Sequence, residues 1–461
     1  MMVYRFVQLS DIHFGQERDG TLVFQEEVRR KLLEDAAQMA EIRSHADLVV
    51  VVGDIAYAGK EVQYKTAGGW LDQLTKAARC SETDVRVVPG NHDCDLDQLS
   101  RVARTVQRSI REGTPKSAYA DLEDMAKDAE EANPLLPKFR AYRDFANGYE
   151  SDFISVACPL WTKDFPLAAG ISLRLVGMNS VLVSEGKDRS GDLILGNTQY
   201  TLPDEPHLVY AVMMHHPLDW YMDKAEAKPY LHNRVRLFMV GHEHIPDINL
   251  TIDLLKNECL VIYSGATNPP ESGGLYRYAY NWIEISLREK AGSHILAVNV
   301  FPRVWLPART RFGADTERLP QGQESREFEI TCPALKPKAQ TTVRSATSPA
   351  TKSIAATSSA LAPGPGNGLA TGGTMNTNDE AALAKLKFLF WRYLDWQQRL
   401  KVLVQADALP PSANRPVPQT MERLALENAR QQGKLAAIWD AMMAYVPDAY
   451  KQSNPFNKTG S

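Results

Sequence analysis

Five short motifs hold the residues of this chain best suited to chemistry. They are Asp11-Ile12-His13, Gly53-Asp54, Gly90-Asn91-His92-Asp93, His215-His216-Pro217 and Gly241-His242-Glu243-His244. Aspartate, asparagine and histidine offer oxygen and nitrogen donors to divalent cations of hard to borderline character. Each motif follows an apolar run, closing at Leu9, Val52, Val88, Met214 and Val240. Donors gathered in this way can hold two cations close together, and such a pair clamps and hydrolyses phosphate esters. Six of the ten histidines lie in these motifs; His45, His207, His232 and His294 are scattered and read as structural or surface groups. Taken singly, Asp11 reads as well as a turn residue, and His13 as a surface histidine. Asp54 is harder to set aside, because a carboxylate closing a buried run of four valines needs a partner.

The elements that must position these residues follow from periodicity. Residues 3–9 read as a strand, and Phe24, Val28, Leu32 and Met39 share one face of a helix. The continuous β-branched run 48–52 reads as a strand buried on both faces. Trp70, Leu71, Leu74 and Ala77 mark a second helix, and 85–88 a third strand. Further strands are expected at 173–178, 208–214, 235–240 and 260–263, then a β-rich tail containing 282–285 and 295–301. Successive strand–helix–strand units argue for a layered α/β domain, whose strand carboxyl ends are where ligand-binding loops converge. The glycines at 53, 90 and 241 are expected to turn the backbone sharply beside the site. Asn179 and Ser180 close another strand near the same edge. His216, Asp219, Trp220 and Tyr221 are candidates to line the cleft, although Trp220 alone reads better as loop packing.

Residues 95–149 form a polar, helical insertion leaving the sheet directly after Asn91-His92-Asp93; it either caps the site or lies to one side. Four arginines within it, Arg101, Arg104, Arg108 and Arg111, recur at helical spacing. Residues 333–377 are rich in Ala, Ser, Thr, Pro and Gly and read as a flexible linker. Beyond them, 378–456 reads as a small, separate all-α domain. Leu383, Leu386, Phe390, Tyr393 and Leu394 form its first apolar stripe, with Trp391 beside it and Gly433 breaking two later helices.

Length and composition allow two or three domains in 461 residues. A net charge of −4 excludes a global field drawing in nucleic acid or acidic membrane, though not a local groove. Five scattered cysteines with no C-x-x-C pair suit a reducing cytoplasm and exclude a zinc ribbon. No apolar run reaches the roughly 18 residues a membrane span needs.

The five motifs in this order resemble the calcineurin-like metallophosphoesterase family, over roughly residues 3 to 300; with the linker and helices, the domain is drawn as 1–332. The resemblance implies a layered β-sandwich flanked by helices. It also implies two divalent metal ions, of Mn, Fe, Zn or Ni. Asp11, His13 and His244 would hold the first, Asn91, His215 and His242 the second, and Asp54 would bridge both. The residues themselves leave His215 and His216 equivalent; the resemblance favours His215. It further implies that His92 contacts the phosphate and acts as acid toward the leaving oxygen, while a metal-bound hydroxide attacks phosphorus.

Departures narrow the ester. The family's Ser/Thr protein phosphatases extend the second motif with an aspartate and an arginine where this chain has Tyr57 and Ala58, and their third motif ends in glutamate where Asp93 stands. The pattern looks more like the cyclic-nucleotide phosphodiesterase and exonuclease-like branches, so the expected substrate is a small phosphodiester such as a cyclic nucleotide. A nuclease acting on DNA or RNA is the alternative. A non-catalytic scaffold is the alternative of another class, opposed by the complete ligand set. The C-terminal helices resemble small adaptor domains attached to bacterial conflict-system effectors, on Trp439, Gly433 and Asn454-Pro455-Phe456, which implies a protein partner.

Overall fold

Strand-forming runs sort into two mixed sheets. The computed structural model describes residues 2–17, 22–127, 133–153, 159–253, 255–269, 277–338, 377–410 and 418–457. In chain order the strands are β1 (Val3–Leu9), β2 (Leu48–Val52), β3 (Val85–Val88), β4 (Leu160–Ala168), β5 (Ile171–Met178), β6 (Leu208–Met214) and β7 (Val235–Val240), followed by β8 (Asp247–Ile252), β9 (Glu258–Tyr263), β10 (Ala279–Lys290), β11 (Ser293–Leu306), β12 (Arg311–Ala314) and β13 (Arg326–Thr331). One sheet runs β12-β11-β10-β1-β2-β3, with β13 beside β11; the other runs β4-β5-β6-β7-β9-β8. In the first, β1, β2 and β3 are parallel. In the second, β5, β6, β7 and β9 are parallel, with antiparallel strands at both edges.

Side chains alternate across each strand, so β2 serves two cores at once. Val50 and Val52 enter the layer between the sheets, meeting Leu175, Ala211, Met213 and Met239. Val49 and Val51 enter the opposite layer, against Leu32, Met39, Leu71 and Leu74 of two helices. Val212 and Val240 of the second sheet likewise pack under Leu122, Phe139 and Leu231. The result is helix, sheet, sheet, helix: the layered β-sandwich flanked by helices. The runs expected at 3–9, 48–52, 85–88, 208–214 and 235–240 coincide with β1, β2, β3, β6 and β7.

The helices are α1 (Leu22–Arg43), α2 (Glu61–Ala77), α3 (Arg101–Glu112), α4 (Pro115–Met125), α5 (Arg140–Gly148), α6 (Asn197–Tyr200), α7 (Lys224–Arg234), α8 (Thr377–Tyr393), α9 (Trp396–Gln405), α10 (Gln419–Gln431) and α11 (Leu435–Met442). The insertion contributes α3, α4 and α5. It grips residues 183–192 from behind. Gln107 and Lys138 both donate to the Ser184 carbonyl, and Arg111 donates to Val183 O and pairs with Asp188 and Asp192. Arg111 is thereby withdrawn from the row of four arginines at helical spacing.

The linker expected over 333–377 lies outside the described residues from 339 to 376. Its first residues belong to the folded body: Leu335 is buried, and the amides of Lys336 and Lys338 donate to Pro206 O and Gly170 O. The helices after it do not stand apart. Phe388, Leu389 and Trp391 of α8 join one apolar cluster with Tyr64, Tyr142, Phe145 and Tyr149 of the sandwich and its insertion. Arg399 of α9 reaches Asp144 of α5.

Candidate metal centre

The loops leaving β1, β2, β3, β6 and β7 meet at one place. Asp54 Oδ2 lies 3.2 Å from His13 Nε2 and 3.3 Å from His215 Nε2. Asp11 Oδ1 lies 3.0 Å from His244 Nε2, and the backbone N–H of His242 donates to Asp11 Oδ2 at 3.2 Å. The backbone N–H of His92 donates to Asp54 Oδ1 at 2.8 Å. Ligating atoms of Asp11, His13 and His244 all lie within 4.8 Å of one another, as do those of Asp11, Asp54 and His215, and those of His215, His216 and His242. Asn91 stands next to His92, its Nδ2 turned to Gly186 O at 3.4 Å. Six of the seven residues expected as ligands, and His92, are thus brought together across the seam between the sheets, and Asn91 adjoins them through its neighbour His92.

The orientation of the imidazoles is set from behind. His13 Nδ1 faces Asn268 O, His92 Nδ1 faces Tyr57 O and His215 Nδ1 faces Val52 O, at 3.3, 2.8 and 2.8 Å. A carbonyl only accepts, so each Nδ1 carries a proton and each Nε2 points inward. Asn91 Oδ1 and His216 Nε2 are buried with no hydrogen-bond partner among the described residues. Buried donor atoms left over in this way, on a set of N and O groups, fit divalent cations.

Five of the seven adopt left-handed backbone: Asp11, His13, Asp54, His242 and His244 have φ of 54°, 52°, 52°, 69° and 56°. That conformation costs a non-glycine residue about 1–2 kcal/mol, and strain of this kind clusters where function needs it. Of the motif glycines only Gly53 has positive φ, at 86°. Gly90 and Gly241 do not turn the chain as expected; they clear space. A Cβ at Gly90 would meet the Asp54 carboxylate, and one at Gly241 the Ser10 hydroxyl.

Two buried carboxylates, Asp11 and Asp54, bring negative charge to the site before any cation is considered. Burial opposes ionisation of Asp11, but His244 beside it outweighs burial and holds the carboxyl at about 2. Burial likewise opposes ionisation of Asp54, yet His215 and then His92 hold it well below the usual range. His215, although buried, is pushed up to about 9 by Asp54. An imidazole made this basic while buried reports a field that attracts positive charge. On the far flank, burial and then His215 push His242 down to about 4, and burial and then His242 push His216 well below its ordinary value.

Several neighbours were weakly signalled or unsignalled by sequence. Asp93 accepts from the amides of Ile55, Ala56 and Gly90 and from the Tyr64 hydroxyl, tying the loop after β2 to the loop after β3. Burial and then the Asp54 charge raise its carboxyl to about 6. Ser10 Oγ binds Asp11 and Val52 O. Ser180 Oγ meets His216 Nδ1 at 3.0 Å, so Ser180 touches the site, while Asn179 turns to Gln199. Trp220 corrects the loop-packing expectation: its ring meets His242 at 4.2 Å, edge to face, and its Nε1 donates to Glu243. Tyr57 stacks on His92 with centroids 5.0 Å apart. Only contact in three dimensions links these aromatics to the motifs.

A two-sheet sandwich with aspartate, asparagine and histidine gathered at its strand ends is a metallophosphoesterase scaffold. Residues 4–246 match the family model of calcineurin-like phosphoesterases, and the chain belongs to that family. Residues 382–444 match the model of the GTPase-associated adaptor domain. The chain is similar to the metallophosphoesterase-like protein YydB of Bacillus subtilis (strain 168), 26% identical over 279 residues, 58% of this chain and 54% of that protein. It therefore spans about half that relative's length. Looser likenesses join it to solved structures. A Vps29 double mutant from Entamoeba histolytica is 8% identical with a TM-score of 0.27, over 71% of this chain and 99% of that one. The purple acid phosphatase PPD1 from yellow lupin (Lupinus luteus) seeds is 12% identical with a TM-score of 0.33, over 74% and 57%. No helix among the described residues is long and apolar enough to cross a membrane.

Proposed function

We propose that the chain hydrolyses a phosphodiester at a two-cation centre. Asp11, His13 and His244 would hold one cation, Asn91, His215 and His242 would hold the other, and Asp54 would serve both. The observation that supports this reading is the convergence of Asp11, His13, Asp54, His215, His242 and His244, from four loops of two sheets, around two buried carboxylates. Bound divalent cations supply Lewis acidity and activate water near neutral pH; Mn, Fe, Zn and Ni all suit the donor set.

The chain's own residues orient and move the proton. His92 Nδ1–H is committed to Tyr57 O, so Nε2 is left to carry a proton, and the imidazolium form gives it to the leaving oxygen. Tyr57, stacked on that ring, keeps it in place. The preference for a diester rests on Tyr57 and Ala58 standing where protein phosphatases carry aspartate and arginine. A diester has a single charge at the reacting phosphate and needs fewer cationic contacts. Tyr57 and Trp220, both half-buried beside site histidines, favour a small diester with a planar substituent, such as a cyclic nucleotide.

The test compares bis-p-nitrophenyl phosphate with p-nitrophenyl phosphate, in Mn²⁺ and in excess chelator. Faster Mn²⁺-dependent hydrolysis of the diester is expected. Preference for the monoester would overturn the diester reading, and no metal-dependent turnover of either would favour a scaffold. Cyclic mononucleotides, linear dinucleotides and single-stranded DNA then separate a small diester from nucleic acid. We also propose, on the adaptor-model match, that α8–α11 recruit a protein partner. The units are drawn as 1–332, 333–377 and 378–456. A cytoplasmic location rests on Cys80, Cys94, Cys259 and Cys332 being free thiols.

A further inference from the structure

Two glycines stand side by side in the middle of α2, Gly68 and Gly69. Glycine is poorly tolerated in a helix interior. A Cβ on Gly69 would meet nothing within 4 Å among the described residues; a Cβ on Gly68 would fall on the guanidinium of Arg392, from α8. That guanidinium lies along α2, donating to Tyr64 O and pairing with Asp72, each at 3.4 Å. Gly68 is therefore a seat for a side chain that arrives from more than three hundred residues away.

The seat leads to the metal centre. Tyr64, whose carbonyl Arg392 holds, lies four residues before Gly68 on α2. Its buried hydroxyl donates to Asp93 Oδ1 at 2.9 Å. The Asp93 carboxylate in turn accepts from Ile55 and Ala56, directly after Asp54, and from Gly90, directly before Asn91. Other contacts hold the C-terminal helices elsewhere: Lys387 pairs with Glu150, and Arg399 with Asp144. Arg392 is the contact that reaches α2 beside Tyr64.

We propose that docking of α8 on α2 is felt at the metal cage through Arg392, Tyr64 and Asp93, making Arg392 and Tyr64 positioning residues for Asp54 and Asn91. A partner that engages α8–α11 and lifts Arg392 from its seat then weakens cation binding. This rests on the metal-centre reading above but not on any substrate.

The experiment measures Mn²⁺ affinity of the chelator-stripped full chain by titration calorimetry. Tyr64→Phe keeps the ring and removes only the hydroxyl. Tyr64→Phe and Arg392→Ala are each expected to weaken Mn²⁺ binding by roughly threefold to tenfold, since residues along a coupling path that touch no ligand directly act on this scale. The double variant is expected to be no weaker than Tyr64→Phe alone, because both act on one chain of contacts. Lys387→Ala, which loosens the same interface away from α2, should bind as wild type. Gly68→Ala, ordinarily stabilising in a helix, should instead weaken Mn²⁺ binding as Arg392→Ala does, and it carries the test if Arg392→Ala unfolds the helices by circular dichroism. Wild-type affinity in Tyr64→Phe, Arg392→Ala or Gly68→Ala would overturn the proposal, as would equal weakening in Lys387→Ala. Failure of every ester to hydrolyse would overturn the catalytic reading and leave these affinities to stand.

Discussion

Asp54 is the side chain on which the centre turns: one oxygen faces His13 and His215, and the other takes the His92 amide. Asp54→Ala is expected to lose bound metal, read by elemental analysis, along with nearly all turnover; a metal-replete, active variant would refute the proposed bridging role. His92→Ala separates chemistry from binding. Its metal content should match wild type while kcat falls by roughly 10²–10⁴-fold, the usual worth of a positioned acid. At this scale much was legible, because Asp, Asn and His closing an apolar run conflict with burial unless something binds them. Tyr57 and Asn268 are not legible as site neighbours, and Trp220, a candidate to line the cleft, reads more readily as loop packing. An aromatic ring or a backbone carbonyl has no sequence pattern that says which histidine it will touch.

Strands that are buried on both faces declared themselves by apolar runs, unbroken in β2 and β6 and interrupted only by Arg236 in β7, and all three fell where expected. Of the strands that escaped, β4, β8 and β13 expose much of their length, so polar residues blur their pattern, and β12 is only four residues long. The insertion's role was also hidden, because it acts through buried polar contacts. Lys138 is fully buried, and burial lowers the basicity of its ammonium; Nζ donates to Gln107 Oε1 and Ser184 O at 3.1 and 2.9 Å. Those bonds hold the segment whose Gly186 carbonyl meets Asn91. Lys138→Met leaves Gln107 Oε1 without its donor, and a cost of about 1–3 kcal/mol is expected. Hydrogen exchange should show faster exchange at residues 184–192 and not at β2. Unchanged protection there would mean that α3 alone anchors the segment.

Across the whole molecule two forces of different kinds hold the chain together, and each can be withdrawn separately. Cations that bind only the folded state stabilise it by mass action, by ~2.7 kcal/mol per site at a hundredfold excess over Kd. Stripping them with chelator should lower the Tm of the sandwich, and Mn²⁺ should restore it. The C-terminal helices answer instead to pH. Their aromatic stripe was legible as a core; its counterpart on α2 and α5 was not, since nothing in either segment names the other. Glu422 on α10 lies buried 3.2 Å from Arg399. The arginine's basicity is raised in this pairing, while burial pushes the glutamate up to about 7, from an ordinary 4.5. Burial prevails at Glu422 because Arg399 divides its charge among Glu422, Asp144 and the Leu394 carbonyl. A carboxyl raised on folding contributes stability that is complete below its unfolded value and lost as pH rises through its folded value. The helices should therefore loosen between about pH 4.5 and about 7, by at most ~1.4 kcal/mol for each pH unit crossed. Tryptophan fluorescence during thermal unfolding would follow Trp391 and Trp439 in this core. Glu422→Gln, which stays neutral, should flatten the dependence; a Tm that rises over the same interval would mean the ion pair with Arg399 outweighs its own burial.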